Sequence, residues 1–191
     1  MEYPQSTIGT ITLCIGPMWS SKTEWIIDRA SAFTAAGVAI CVLKPAMDDR
    51  YSSKRVVSHS GRSVDAIPLD NLQTVLEVVG ESRIVFIDEG QFFMDLAQGC
   101  LKLSRAGKHV IVAALAATAE QAPWPSVSEL VARADQIIHK VHPMCSICHD
   151  GPAPHTRVKL DRVGSKDGTI KIGGAETYET VCRVCLANKK N

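Results

Sequence analysis

The sequence lacks a large excess of charge of either sign. Its 191 residues include 21 Lys and Arg and 20 Asp and Glu, so the formal net charge is +1. Such a balance creates no overall field that would attract nucleic acid or an anionic membrane. We therefore expect no nucleic-acid partner and no membrane partner, and any polyanion should be held locally by a few residues.

Long hydrophobic runs are also missing. The run HVIVAALAATA is too short to cross a bilayer, and the N-terminal MEYPQSTIG has neither the basic start nor the apolar stretch of a signal peptide. The cysteine count is odd, at seven, which fits a reducing compartment better than a disulfide framework. Together these features predict a soluble, cytoplasmic protein.

From residue 8 to about residue 142, short β-branched runs alternate with longer helical patterns, which predicts an α/β domain with a mainly parallel sheet. The predicted strands are TITLCIG, VAICVLK, RIVFIDE, HVIVAALA and QIIHKVH. Helices are predicted over 22–37, 71–80 and 95–107, each closed by a glycine, and residues 44–62 are predicted as a loop. After Pro143 the helical period disappears, so we divide the chain into domains 1–142 and 143–191.

The stretch IGPMWSSKTEW has the outline of a phosphate-binding loop, with Gly16 six residues before Lys22. An apolar strand precedes it and a helical pattern begins at Lys22. Further along, IVFIDE places Asp88 and Glu89 at the end of a buried strand, where a magnesium-binding carboxylate is expected. Taken alone, SKT could be a helix cap, and DE could be a turn at the end of a strand. Because the two motifs occur in the expected order on an α/β pattern, they favour a nucleotide site.

The second glycine of such a loop is replaced by Ser21. If the backbone there needs a positive φ, the serine costs on the order of 1–3 kcal/mol, and its side chain can obstruct the ligand. Glu24 adds a negative charge near the expected triphosphate. The serine predicts weaker nucleotide binding, whereas Glu24 could point away from the triphosphate on its helix.

Two C-x-x-C pairs, CSIC and CRVC, lie in the second domain. Four thiolates in such pairs form the closed tetrahedral shell of a structural zinc. We therefore assign Cys145, Cys148, Cys182 and Cys185 as zinc ligands, with disulfides or a redox pair as the alternatives. The other three cysteines, Cys14, Cys41 and Cys100, are predicted to be buried thiols because they lie in apolar segments.

The motifs GPMWSSKTE, DDRY, FIDEGQFF, GKHVIVAAL and IGGAETYETVCRVC resemble, in matching order, those of the type II (cytosolic) thymidine kinases. The resemblance implies a RecA-like P-loop domain and a zinc-ribbon-like domain with a lasso loop over the nucleoside. It also implies transfer of the ATP γ-phosphate to the 5′-hydroxyl of thymidine or deoxyuridine, and association of chains into oligomers.

The resemblance also implies roles for single residues. Lys22 would hold the phosphates, Thr23 with Asp88 would hold Mg²⁺, Glu89 would be the general base, and Arg50 would lie near the transferred phosphoryl group. The nucleotide loop would also include Gly16, Met18, Ser20 and Ser21. The nucleoside pocket would be lined by Phe92, Leu115, Trp124, Thr156, Gly173 and Tyr178, although Phe92 and Leu115 could equally be core residues.

Two further positions depart from the family's pattern. Ala116 replaces its usual aspartate, and Ala119 replaces a phenylalanine that packs on the nucleoside. Losing that aromatic wall costs roughly 1–3 kcal/mol of contact. We interpret the chain as a low-activity or inactive kinase domain that acts by pairing with copies of itself or with an intact homologue. The alternatives are a fully active thymidine kinase and, disfavoured by the charge balance, a zinc-ribbon nucleic-acid binder.

Overall fold

The computed structural model describes residues 8–48, 54–141, 144–159 and 173–188. Within these ranges the main sheet has six parallel strands in the order β5-β2-β6-β7-β1-β8. The strands are β1 Ile11–Gly16, β2 Ile40–Pro45, β5 Ile67–Leu69, β6 Ile84–Ile87, β7 His109–Leu115 and β8 Gln136–His139. This sheet confirms the predicted α/β class.

All five predicted strands belong to this sheet. The inner strand β6 is buried at every residue, as expected for an apolar run between two covered faces. The sixth strand, β5, was not predicted because it has only three residues and contains Pro68, which the sheet accepts at its edge.

The helices among the described residues are α1 Lys22–Ala35, α2 Val75–Val79, α3 Leu96–Arg105, α4 Pro125–Val131 and α5 Arg183–Ala187. Helix α1 begins at Lys22, as predicted. Gly37 and Gly107, which follow α1 and α3, take φ values of 73° and 79°. Helix α2 is shorter than predicted, and α4 was missed because only seven residues carry its pattern.

The two faces of the sheet are covered differently. Helices α2, α3 and α4 pack on one face, where Leu96, Leu103 and Leu130 are fully buried. Helix α1 covers the other face, together with a hairpin of strands β3 Arg55–Val57 and β4 Ser63–Asp65. The prediction of a loop over 44–62 was therefore wrong at β3, which is too short to show a period but buries Val56.

A separate small core lies in the C-terminal part of the chain. It is formed by Cys145, Ala153 and Val181. Strands β9 His155–Val158 and β10 Tyr178–Val181 pair antiparallel there. No helix among the described residues is long and apolar enough to span a membrane.

Candidate active site

The phosphate-binding loop connects the carboxyl end of β1 to the start of α1, at the sheet edge where ligands of such folds bind. Gly16 is required by packing, because a Cβ atom there would lie 2.3 Å from the Lys140 carbonyl oxygen. Inside the loop, the buried Ser20 hydroxyl donates to the Pro17 carbonyl oxygen over 2.9 Å. The loop therefore has its own internal support.

Ser21 has φ 59° and ψ 33°, in the left-handed region. A positive φ was the condition under which the serine costs free energy at this position, and the structure meets that condition. The side chain makes no capping hydrogen bond to the helix and is exposed. The serine thus carries the penalty of a Cβ atom at a glycine-favouring position, on the order of 1–3 kcal/mol, without a capping bond to offset it.

Lys22 folds back over the loop. Its Nζ donates to the Pro17 carbonyl oxygen over 2.6 Å and lies 3.3 Å from Ser20 Oγ. Burial lowers the pKa of Lys22, and the nearby Glu89 and Asp88 carboxylates oppose that shift. The ammonium group therefore lies inside the loop, close to both acidic residues.

Thr23 and Asp88 come together although 65 positions separate them in the chain. The Thr23 hydroxyl donates to Asp88 Oδ2 over 3.1 Å. Asp88 directly follows β6 and is only 6% exposed. Burial, together with the negative charge of Glu89, raises the pKa of Asp88 to about 7. A hydroxyl beside a buried carboxylate is a donor set suited to Mg²⁺.

Glu89 is held by a residue that the sequence analysis did not single out. Gln91, which is 1% exposed, donates from Nε2 to Glu89 Oε2 over 2.5 Å, and its Oε1 accepts from the Leu115 amide over 2.9 Å. Glu89 itself has φ 50°. The two phenylalanines that directly follow Gln91 in FIDEGQFF were the available signal, because an amide buried beside them requires partners.

The predicted nucleoside residues lie in two parts of the chain. Phe92 and Trp124 meet edge to face, with ring centroids 5.8 Å apart, and Leu115 ends β7. Thr156 lies on β9, where its Oγ1 accepts from the Met18 amide of the phosphate loop over 3.0 Å.

Tyr178 begins β10 opposite Val158, and Gly173 lies in the segment before it. Arg50 and residues 160–172 of the predicted zinc-binding and lasso domain lie outside the described residues.

The two alanines that the resemblance marks as departures follow β7. Ala116 is half-buried, and its amide donates to the Gly16 carbonyl oxygen over 3.1 Å. Ala119 is also half-buried and presents only a methyl group. The backbone is therefore tied to the phosphate loop at Ala116, while position 119 lacks an aromatic surface.

Glu24 has partners on the β3–β4 hairpin. Arg62 Nη1 lies 3.3 Å from Glu24 Oε2 and 2.6 Å from Asp28 Oδ1, and the Ser60 hydroxyl also donates to Glu24. The Glu24 charge is thus partly compensated by a guanidinium. This pairing reduces the repulsion that the Glu24 carboxylate would exert on a triphosphate.

The four cysteines assigned as zinc ligands form one cluster. Their sulfur atoms all lie within 4.8 Å of one another, and Cys148 Sγ and Cys182 Sγ are 3.8 Å apart. Four sulfurs at about 2.3 Å from a zinc ion stand about 3.8 Å apart in a regular tetrahedron. The cluster therefore fits a structural zinc. The remaining cysteines, Cys14, Cys41 and Cys100, are buried, as predicted.

The family model of thymidine kinase matches residues 9–186. The chain belongs to the thymidine kinase family. It is 35% identical to the cytosolic thymidine kinase of Homo sapiens over 186 residues, or 97% of this chain and 76% of the human protein.

The chain is also 35% identical to the thymidine kinase of Rhodothermus sp. (strain ITI 518), over 94% of this chain and 82% of that protein. It is 36% identical to the thymidine kinase of Bacteroides thetaiotaomicron, over 93% and 86% respectively. The resemblance predicted from the motifs is confirmed.

Proposed function

We propose that this thymidine kinase family member transfers the γ-phosphoryl group of ATP to the 5′-hydroxyl of thymidine or deoxyuridine, and that it does so slowly when it acts alone. The observation that carries the proposal is the cluster of Lys22, Thr23, Asp88 and Glu89 at one edge of the sheet. Family membership supports the same reaction.

In this proposal, the loop between β1 and α1 binds the phosphates. Its backbone amides and the N-terminus of α1 surround the phosphates, and Lys22 leaves the Pro17 carbonyl oxygen to contact them. Thr23 Oγ1 and Asp88 would hold Mg²⁺. When bound, Mg²⁺ neutralises charge that develops on the phosphate oxygens.

Glu89 is the proposed general base. The 5′-oxygen attacks the γ-phosphorus, the bond to the β-phosphate oxygen breaks, and ADP leaves while Glu89 takes the hydroxyl proton. Gln91 orients the carboxylate by donating to Glu89 Oε2. Arg50, assigned by resemblance alone, would stabilise the transferred phosphoryl group.

The nucleoside is proposed to bind beside the Phe92 and Trp124 rings, with Leu115, Thr156, Gly173 and Tyr178 completing the pocket. The contact between the two rings supports this assignment. Ala119 removes aromatic contact from the pocket, and Ser21 adds backbone strain at the phosphate loop. These two changes are the basis for the low rate.

Association is part of the same proposal. The chain would pair with further copies of itself or with an intact homologous kinase domain, and would divide into a nucleotide-binding domain, 1–142, and a zinc-binding domain with the lasso loop, 143–191. A fully active enzyme is the second candidate. It is favoured by the Thr23–Asp88 contact and by the pairing of Glu24 with Arg62.

One structural zinc per chain is proposed at the four cysteines. Elemental analysis of the purified protein should give one equivalent of zinc, because the small C-terminal core is too limited to hold that part of the chain folded without metal. A fully folded, metal-free protein with reactive Cys145 and Cys182 would contradict the assignment.

Thymidine phosphorylation tests the reaction. The wild type, Ser21→Gly, Ala119→Phe and the double variant are assayed at saturating Mg²⁺. Because both substrates must be bound for turnover, we expect clear activity only in the double variant. Robust wild-type activity would favour the fully active enzyme. An inactive double variant that binds both ATP and thymidine would refute the kinase function.

A further inference from the structure

Arg157 is a buried charge that the proposed reaction does not use. The residue is 8% exposed and lies on β9, directly opposite Glu179 of β10. Its Nε donates to Glu179 Oε1 over 2.8 Å, and its Nη1 donates to the Cys185 carbonyl oxygen over 2.8 Å. Arginine is rarely buried unless it is fully paired, so these two bonds define where the side chain sits.

The neighbouring residue, Thr156, connects β9 to two loops elsewhere in the chain. It is 7% exposed, and its Oγ1 accepts from the Met18 amide over 3.0 Å. Its carbonyl oxygen accepts from Gln121 Nε2, in the loop after β7, over 2.9 Å. Through Thr156, β9 therefore contacts both the phosphate loop and the loop that carries Ala119.

Consecutive side chains of a strand point to opposite faces. Arg157 accordingly contacts the segment of the second cysteine pair, and Thr156 contacts the phosphate loop. The path from the Cys185 carbonyl to the Met18 amide crosses two adjacent residues of one strand. A shift of the cysteine cluster relative to β9 would therefore reach the phosphate loop over a short distance.

We propose that Arg157 is a positioning residue that couples the cysteine cluster to the phosphate loop, by fixing β9 so that Thr156 holds the Met18 amide. The Met18 amide is then held only while the cysteine cluster is intact. The consequence for ATP binding rests on the proposed function, whereas the coupling itself does not.

Hydrogen exchange of the Met18 amide tests the coupling without nucleotide. In the zinc-loaded full chain we expect exchange to be about tenfold slower than after removal of the zinc, because the bond from the Met18 amide to Thr156 Oγ1 is then lost. In Thr156→Val, which keeps the side-chain shape, exchange should be fast in both states. Equal Met18 exchange in wild type with and without zinc would overturn the proposal.

The role of Arg157 is isolated by variants whose zinc content is measured in the same sample. Arg157→Lys and the double variant Arg157→Met/Glu179→Met, which leaves no unpaired buried charge, should retain zinc and still exchange Met18 several-fold faster than wild type. Arg183→Met removes an exposed charge from the same region and should behave as wild type. If neither Arg157 variant binds zinc, Arg157 merely maintains the fold and the positioning role is refuted; wild-type exchange in both would refute it equally.

Calorimetric titration with ATP and Mg²⁺ separates this inference from the proposed function. We expect zinc removal to weaken ATP binding about tenfold in wild type and to leave Thr156→Val unchanged, because coupling between two sites requires the connection between them. If exchange follows the expectation but no state binds ATP, the kinase function fails and the coupling stands. If ATP binds but zinc does not alter Met18 exchange, the coupling fails and the function stands.

Discussion

The phosphate side of the candidate site and its proposed nucleoside side depart from the family's pattern in different ways. On the phosphate side the lysine, hydroxyl and carboxylates are all in place, and the change lies in the backbone at Ser21. On the proposed nucleoside side, the resemblance implies a phenylalanine where this chain has the methyl group of Ala119. The free-energy cost of one strained backbone conformation is limited to a few kcal/mol, whereas the cost of a lost contact grows with the apolar area that is removed.

We expect the largest effect on the reaction rate from a substitution of the proposed general base, Glu89. In the Ser21→Gly/Ala119→Phe background, Glu89→Gln should lower the rate of thymidine phosphorylation by about 10²–10⁴, because an amide cannot accept the hydroxyl proton. ATP affinity should stay within about twofold, and the exposed Glu120→Gln serves as the control. An unchanged rate would remove Glu89 from the mechanism.

Asp88 provides a test of the phosphate side that needs no substrate. Burial raises the pKa of the Asp88 carboxyl group to about 7 in the folded protein, from 3.8 in the unfolded chain. Between these two pH values the folded protein therefore holds a proton on Asp88 that the unfolded chain has released. Stability contributed at this site therefore falls as the pH rises from about 4 to 7, by up to about 4 kcal/mol. Asp88→Asn removes that cost and should raise the melting temperature.

The pH dependence makes the Asp88 test specific. In magnesium-free buffer without chelator, the stabilisation by Asp88→Asn should be clear at pH 8 and about half as large at pH 5.5. Asp65→Asn, at a side chain that is 94% exposed, should show no such trend. Equal stabilisation at both pH values would mean that Asp88 is already ionised across this range.

Restoring an aromatic ring tests the nucleoside side. Ala119→Phe should tighten thymidine binding about tenfold to one hundredfold by returning aromatic contact, and should leave ATP binding unchanged. Titration with each substrate measures both effects. Ala122→Phe, at an exposed position of the same loop, should alter neither affinity. Equal gains at both positions would indicate nonspecific hydrophobic binding.

Relief of backbone strain should have the smallest effect. Ser21→Gly should tighten ATP binding about tenfold and leave thymidine binding unchanged, because the φ of 59° favours glycine. Ser21→Ala keeps the Cβ atom while removing the hydroxyl, and should bind ATP as weakly as wild type. A gain in Ser21→Ala would instead assign the defect to the hydroxyl group.

The phosphate side was the more predictable from sequence. Asp88 directly follows the apolar strand β6, and Lys22 and Thr23 begin the helix that follows β1, so the edge of the parallel sheet at which they lie followed from the strand pattern. Gln91 was not predicted because the partner of its amide oxygen, the Leu115 amide, lies on the neighbouring strand β7. A single chain position does not reveal such a tertiary partner.

The short elements limited the prediction of the fold in the same way. Strands β3, β4 and β5 have three residues each, which is too few to show an alternation of buried and exposed side chains. Their positions depend on packing, as the burial of Val56 beneath α1 shows. The cysteine cluster was predictable because its two pairs carry the signal locally, without reference to the rest of the chain.

The bond between Lys22 Nζ and the Pro17 carbonyl oxygen has a consequence for the speed of nucleotide entry. The lysine occupies its own loop as an internal ligand, so an arriving triphosphate must displace it before the ammonium group can turn outward. Association then includes a rearrangement after the first encounter, and its rate should level off at high ATP concentration. Under the proposed function, Lys22 would both strengthen the final complex and limit the rate at which that complex forms.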